Sequence, residues 1–186
     1  MNKEHESKII KLIAKYKENL SDKKEFEQEV YKWQLVERFK GRPNLDAEDF
    51  AAEIKAMNYA NLIYMMSKAT LDEMAKAEPE EVSKIFRGLF DEEIDLLERI
   101  ISFRVGCAVL YKKVNSNNNN SVHQSEREIS VYLTYHYPER YTFYQHDYYK
   151  RYCDYLGLNI EKKNQKFIHY LELIKELADC GGNVKL

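Results

Sequence analysis

One stretch of the sequence, residues 91–111, constrains the fold of this chain more than any other. Its apolar residues fall on two opposite sides of a helix, with Ile94, Leu97, Ile101, Val105 and Ala108 on one side and Leu96, Ile100, Phe103, Cys107 and Leu110 on the other. A helix that is apolar on both sides is normally covered by neighbouring helices all around. We therefore predict that residues 91–111 form the central helix of a packed fold.

The rest of the chain divides into further helical segments. Six glycines and three prolines in 186 residues favour long helices over a turn-rich β architecture. Gly41 and Pro43 end one helix, Pro79 lies in the first turn of another, and Pro138 and Gly157 end two more. We predict an all-α fold, a compact bundle of about eight or nine helices around the central helix near 91–111.

The length favours a single helical domain over residues 1–186. Within it, residues 1–20 are expected to form a peripheral N-terminal helix. Residues 113–124 contain the tract VNSNNNNSVHQ, which has no apolar anchor and is typical of a flexible surface loop. A functional insertion is the alternative interpretation of that tract.

Charge is distributed unevenly along the chain. The net charge is −2, but residues 46–99 carry −8 between two segments that carry +3 each. A polyanion would therefore dock away from the middle of the chain. The sequence pI of about 6.2 counts against general DNA coating, although a local basic face would suffice for DNA binding.

The sequence predicts a cytoplasmic protein without a membrane span. No run of about 18 apolar residues occurs, and the N-terminus lacks the apolar core of a signal peptide. Cys107, Cys153 and Cys180 lie far apart and form no C-x-x-C pair, which is typical of reduced thiols and does not favour a metal site.

Sequence motifs for catalysis are missing. The chain has neither a G-x-x-x-x-G-K-[ST] phosphate loop nor a G-x-G-x-x-G loop, and its histidines form neither H-x-x-x-H nor H-E-x-x-H. We therefore expect no enzymatic activity, no cofactor and no bound metal.

The segment YLTYHYPERYTFYQHDYYKRY, residues 132–152, is unusually aromatic. Nine of the fifteen tyrosines lie between residues 131 and 155. On a helical wheel the apolar residues of the second half fill one continuous arc, which predicts a core-facing helix; they are Tyr148, Tyr149, Tyr152, Cys153, Tyr155 and Leu156. We expect most of the tyrosines to be buried, with base stacking restricted to the linker 137–144 around Pro138.

The same region supplies candidate DNA contacts. Arg140, Lys150 and Arg151 are the expected phosphate contacts, because they flank the linker aromatics or lie opposite the apolar arc. Tyr141 and Tyr144 are the candidates for touching a base, including one flipped from the stack. Two weaker phosphate candidates follow the central helix; they are Lys112 and Lys113.

Five stretches of the sequence carry a resemblance to a known family. They are EVYKWQLVERF (29–39), NLDAEDF (44–50), FRGLFDEEIDLLERIISF (86–103), SVYLTYHYPERYTFYQHDYYKRYCDYLG (130–157) and KFIHYLELIKEL (166–177). The first four resemble the N-terminal helical region of McrB-type AAA+ proteins of bacterial defence systems. The last resembles the segment that leads toward their motor domain.

The resemblance implies a target-recognition module that binds DNA, including DNA with modified cytosine. In that family the motor hydrolyses a nucleotide, usually GTP, and recruits a separate endonuclease subunit. This chain has no phosphate loop, so the resemblance places it as the front module of a protein whose AAA+ motor domain is absent here. The alternative is a protein–protein interaction, assembly or sensor domain of a phage-defence complex.

Overall fold

The structure is a computed structural model that describes residues 3–19, 23–116 and 121–181. Within these residues it contains nine α-helices and no strand, which confirms the predicted all-α class. The chain divides into two compact units, and the single domain predicted over residues 1–186 stays a prediction. Unit 1 comprises Met1–Leu35 and Gln145–Leu186, and unit 2 comprises Val36–Tyr144.

Unit 1 contains α1 (Lys3–Asn19), the first part of α2 (Lys23–Phe39), α8 (His146–Leu156) and α9 (Lys166–Gly181). Helices α1, α8 and α9 pack against one another. Ile9 of α1 is fully buried, as are Tyr149 of α8 and Phe167 of α9, whereas most of the described side chains of α1 are exposed. Gly157 ends α8 in the left-handed conformation, as its position in the sequence predicts.

Unit 2 contains α3 (Phe50–Ala56), α4 (Met65–Ala77), α5 (Pro79–Phe90), α6 (Leu96–Val114) and α7 (Glu126–His136). Its core is built around the Phe86 ring, whose neighbours come from four helices; they are Phe50, Phe90, Phe103 and Tyr132. Pro79 occupies the first turn of α5, as predicted.

Helix α6 starts later than predicted and is covered on one side only. Asp95 caps it by accepting a hydrogen bond from Leu97 N at 2.9 Å, so residues 91–94 precede the helix. Ile100, Phe103 and Cys107 are buried. The opposite side, which we call the open side of α6, is exposed; it consists of Glu98, Ile101, Ser102, Val105, Ala108, Val109 and Lys112.

The prediction that this helix is covered all around is therefore wrong. Val105 and Val109 are 56% and 66% exposed. Helix α5 packs closely on α6 at Gly106, where a Cβ atom would lie 3.1 Å from Ile85 Cγ1. Nothing in the described part of the chain packs on the open side to the same degree. An apolar pattern reports which residues can be buried, but the number of neighbouring helices decides which are.

Helix α7 is the most completely buried helix of unit 2, although its sequence is more polar than that of α6. Its buried residues are Glu126, Glu128, Ile129, Ser130, Val131, Tyr132, Leu133, Thr134 and Tyr135. Ser130 Oγ donates to the Arg127 carbonyl at 2.7 Å, and Thr134 Oγ1 donates to the Ser130 carbonyl at 2.6 Å. These hydroxyls are satisfied by the helix itself, which makes their burial tolerable.

The tyrosines of residues 131–155 are only partly in the core. Tyr132, Tyr135, Tyr144 and Tyr149 are buried. Tyr148 is 59% exposed and Tyr155 is exposed as well, so their predicted burial is wrong. The buried stripe of α8 is narrower than its aromatic arc, because only Tyr149, Cys153 and Leu156, spaced at i, i+4 and i+7, are covered.

The predicted loop 113–124 falls partly on residues 117–120, which lie outside the described residues. On one side of them α6 continues to Val114, and on the other side residues 121–125 have no regular secondary structure. Among the described helices, none is both long enough and apolar enough to cross a bilayer.

Candidate nucleic-acid interface

A polar pocket of about 800 Å³ opens in unit 2. The C-terminal half of α6, the segment 121–125, the first turn of α7 and the N-terminus of α4 form its walls. We call it the Tyr64 pocket; its lining residues are Tyr64, Arg104, Ala108, Tyr111, Lys112, Ser116, Ser121, Val122, His123, Gln124, Ser125, Arg127 and Glu128.

The Glu128 carboxylate lines the pocket. Ser125 and Glu128 form a capping box, in which Glu128 Oε2 accepts from Ser125 N at 3.0 Å. Glu128 Oε1 lies 3.2 Å from Tyr64 N and 3.1 Å from Ser67 Oγ. The carboxylate is thus occupied in joining α7 to the start of α4. We infer that Glu128 is a structural residue of this site, since its oxygens are used within the fold.

The segment 121–125 is fastened to the helices through its backbone. Thr70 Oγ1 donates to the Val122 carbonyl at 2.8 Å, and Ser67 Oγ donates to the His123 carbonyl at 2.8 Å. The Gln124 side chain donates to the Ser67 carbonyl at 2.9 Å. This wall of the pocket is therefore a positioned surface, in which His123 adopts a left-handed conformation with φ of 54°.

Positive charge dominates the lining. Arg104, Lys112 and Arg127 line the pocket, and of the lining residues Glu128 alone is acidic. Arg127 donates to the carbonyls of Leu62 and Asn61, each at 2.7 Å, and these partners carry no charge. The guanidinium of Arg127 is thus held in place while its charge stays uncompensated by those contacts, as an anion site requires.

An exposed aromatic ring stands at the same pocket. Tyr64 is 50% exposed, and its ring meets the His123 ring edge to face at a centroid distance of 5.2 Å. Tyr64 is the N-cap residue of α4, but its side chain makes no capping hydrogen bond. The ring is therefore available for stacking on a flat ligand.

Of the two lysines predicted at the end of α6, one faces the pocket. Lys112 lines it, and its side chain is exposed. Lys113 is exposed too, but it forms an ion pair with Glu78 at 2.7 Å and does not line the pocket. These neighbours in sequence thus differ in what they can contact.

Arg140 and Tyr141 belong to a different cluster of unit 2, centred on Glu92. Tyr141 Oη donates to Glu92 Oε1 at 2.6 Å, Arg99 Nη1 donates to the same oxygen at 2.6 Å, and Arg140 forms an ion pair with Glu92. Burial alone would raise the pKa of Glu92, but hydrogen bonds from Tyr141 and Arg99 and the charges of the two arginines outweigh it and lower that pKa. Arg140 is paired with Glu92 in this cluster, which weakens it as a phosphate contact.

Tyr144 is only 5% exposed, and its backbone N donates to Ser130 Oγ at 2.9 Å. A ring so covered is not available for stacking in this structure, and the base contact expected for Tyr144 stays a prediction. The linker turns back onto α7 here, a contact that no local pattern in the sequence indicates.

Lys150 and Arg151 lie in unit 1, where both are exposed on α8. The expected face that would combine them with the linker 137–144 draws on both units and stays a prediction. The residues that sequence reasoning missed are Tyr64, Arg104, His123 and Arg127. The one signal near them in the sequence is the S-x-x-E pattern at Ser125 and Glu128, which indicates the start of a helix there.

Metal ligands and thiols are the other reactive groups to consider in the described residues. Within them no group of three or more His, Cys, Asp or Glu side chains is placed to hold a metal ion. Cys107 is buried, and this burial raises the pKa of its thiol to about 12.

No protein-family model, curated protein or solved structure matches this chain.

Proposed function

We propose that this chain is a DNA-binding target-recognition module of an McrB-type restriction or defence protein, and that the Tyr64 pocket takes a nucleotide of the target. The target class is DNA, including DNA with modified cytosine. The chain has no catalytic activity of its own in this proposal. Nucleotide hydrolysis belongs to an AAA+ motor domain in cis and cleavage to an endonuclease subunit, in the cytoplasm.

The observation that carries the proposal is the combination of groups in the Tyr64 pocket. A nucleotide presents an anionic phosphate and a flat base. Arg127 and Lys112 supply positive charge for the first, and the exposed Tyr64 ring supplies a stacking surface for the second. The volume of about 800 Å³ is in the range of small-molecule sites and accommodates a flipped nucleotide.

The sequence resemblance supports the same class of function independently of the pocket. Its longest stretch, residues 130–157, includes most of α7, which stands behind the pocket. The resemblance supplies the biological setting, and the pocket supplies the residues to test.

The experiment is a titration of labelled plain duplex, cytosine-modified duplex and single-stranded DNA against the wild type and two variants. Tyr64→Ala is expected to lose about 1–3 kcal/mol of binding, as for one stacked base. Lys112→Ala is expected to weaken binding similarly across sequences and to reduce the salt slope by about 1.

Matched controls separate these effects from general loss of surface. Tyr16 is 53% exposed on α1, so Tyr16→Ala removes an equally exposed ring elsewhere. Lys113→Ala removes the adjacent charge that is paired with Glu78. Both controls are expected to bind as the wild type does. Absence of binding by the folded wild type to every DNA tested would overturn the proposal, and equal losses in Lys112→Ala and Lys113→Ala would remove the pocket from it.

A second candidate function is a protein-interaction or assembly domain of a phage-defence complex. The observation that favours it is the open side of α6, where Ile101, Val105 and Val109 are exposed together. Binding to a protein through such a surface depends little on salt, whereas DNA binding depends on it steeply. A salt series therefore distinguishes the two functions.

A further inference from the structure

The open side of α6 is symmetric about Val105. Ile101 and Val109 lie four residues before and after it. Ser102 and Ala108 lie three residues away on either side, and the flanking charges Glu98 and Lys112 lie seven residues away. All seven positions are exposed. Branched apolar residues and small residues therefore recur at the same distances in both directions along the helix, with opposite charges at the two ends.

This pattern fits an antiparallel pairing of two α6 helices. A twofold axis at Val105 places Ile101 of each copy opposite Val109 of the other copy. The same contact therefore occurs twice, once on each side of the axis. The three branched side chains form a ridge at i, i+4 and i+8, which packs into the groove beside the same ridge of a partner helix. Ser102 and Ala108 are small and leave that groove open for it.

The flanking charges favour a second copy in this orientation. Antiparallel pairing brings Glu98 opposite Lys112 of the other copy at both ends, whereas parallel pairing would place like charges together. Neither side chain forms an ion pair with the described part of its own chain. The dipoles of two antiparallel helices also attract, whereas those of parallel helices repel.

We propose that the open side of α6 is a self-association surface, through which two copies of this chain pair antiparallel about Val105. One helix face per copy is a small interface, so the dimer is weak and reversible. The apolar ridge supplies the attraction, and the exposed ion pairs mainly select the orientation. The dimer proposal does not rest on DNA binding, but Lys112 belongs to both surfaces, so the second copy and a bound phosphate would compete for it.

The test is sedimentation velocity of the full chain over a concentration series. The wild type is expected to shift from monomer to dimer as concentration rises. Val105→Glu places two carboxylates against each other at the twofold axis and is expected to weaken the dimer by about tenfold or more. Val105 is exposed, so its replacement should leave the melting temperature unchanged. The matched control is Ile10→Glu, an exposed apolar position on α1, which should dimerise normally.

The orientation is tested by exchanging the flanking charges. Glu98→Lys is expected to weaken the dimer, because it faces Lys112 of the other copy. The double variant Glu98→Lys/Lys112→Glu is expected to restore it. Only a surface that pairs with itself responds in this way, so failure of the double variant to recover would contradict the antiparallel arrangement.

The register is tested by disulfide formation in a Cys180→Ser background, in which the two remaining cysteines, Cys107 and Cys153, are buried. Val105→Cys is expected to cross-link two copies upon oxidation. Ile101→Cys is not, because its two copies would lie about 12 Å apart along the helix axes, beyond the reach of a disulfide. A wild type that is monomeric at every concentration, a dimer unaffected by Val105→Glu, or equal cross-linking at both positions would overturn the proposal.

Discussion

Helices α6 and α7 are buried in the opposite order to their apolar content. The more apolar helix, α6, leaves one whole side exposed, whereas α7, with two glutamates, a serine and a threonine among its buried residues, is covered on nearly all sides. Both belong to unit 2. Burial therefore does not follow the apolar content of a helix.

The difference arises from how polar groups are satisfied. The hydroxyls of α7 bond to carbonyls of the same helix, and Tyr132 Oη donates to Gln124 Oε1 at 2.8 Å. A polar group that is paired costs little to bury. Apolar surface that remains exposed, as on α6, is in contrast typical of an interaction site. The comparison teaches that polar residues are buried in this unit where their hydrogen bonds are satisfied, and that apolar residues stay exposed where no helix packs on them.

The largest effect is expected from Tyr135→Ala in α7. The Tyr135 ring is fully buried and stacks on Phe39 and Tyr59 at centroid distances of 5.5 and 5.8 Å. Removing it should lower the free energy of unfolding by about 3–5 kcal/mol, as for a large buried aromatic side chain. Chemical denaturation followed by circular dichroism measures this. Tyr135→Phe keeps the ring and should cost only about 1 kcal/mol, for the hydrogen bond to the Asn58 carbonyl. A loss of less than about 1 kcal/mol in Tyr135→Ala would show that α7 is not a core helix.

Two neighbouring residues of α6 give the next largest contrast. Ile100 is fully buried, whereas Ile101 is 40% exposed. Ile100→Ala should lower the free energy of unfolding by about 2–5 kcal/mol, and Ile101→Ala should change it by about 0.5 kcal/mol or less when measured on the monomer at low concentration. Equal losses would mean that α6 is covered on both sides, as its sequence alone predicts.

Local signals account for what could be predicted of the fold. Pro79, Pro138 and Gly157 restrict the backbone directly, so the helices that they begin or end were found from the sequence. The exposure of Tyr148 and of the open side of α6 could not be found in this way. Both depend on how many helices pack against a surface, which no local pattern records.

The candidate site was less predictable than the fold. Lys112 was found because a basic residue at the end of a helix is visible in the sequence. Tyr64 lies at the start of α4, whereas His123 and Arg127 lie near the start of α7. Hydrogen bonds of Ser67, Thr70, Gln124 and Glu128 bring these two parts of the chain together. Buried hydrogen bonds between helices use the same residue types as solvent-exposed helix caps, so the sequence does not reveal them.

A smaller effect on the free energy of unfolding is expected from two polar residues of α7, Ser130 and Thr134. Ser130 Oγ accepts from Tyr144 N at 2.9 Å, so Ser130→Ala leaves a buried N–H without this partner and should cost about 1–3 kcal/mol. Thr134 Oγ1 bonds only to a carbonyl of its own helix among the contacts found. Thr134→Val keeps the shape and should cost less than about 1 kcal/mol. The denaturant midpoints of Ser130→Ala and Thr134→Val measure the two losses. A larger loss in Thr134→Val than in Ser130→Ala would contradict the explanation that α7 is buried because its polar groups are hydrogen-bonded.

The smallest effect is expected from pH, through His136 at the end of α7. Its ring stacks on Phe90 at a centroid distance of 3.9 Å, and its Nδ1 is buried with no hydrogen-bond partner among the described residues. Burial lowers the pKa of His136 below its ordinary value, against the weaker opposing effects of a backbone hydrogen bond at Arg42 and the charge of Glu139.

The sign of the effect follows from that direction. The unfolded chain takes up a proton at the ordinary histidine pKa, near 6.5, while the folded chain resists it. His136 therefore contributes stability above this pH, and the contribution is lost as the pH falls through the lowered pKa of the folded state. The measurement compares denaturant midpoints at about pH 7.5 and about pH 5.5 for the wild type and His136→Gln. The variant should lose less stability than the wild type on acidification. Equal losses would mean that the ring is solvated like the open side of α6, and a larger loss in the variant would mean that the folded state favours the charged ring.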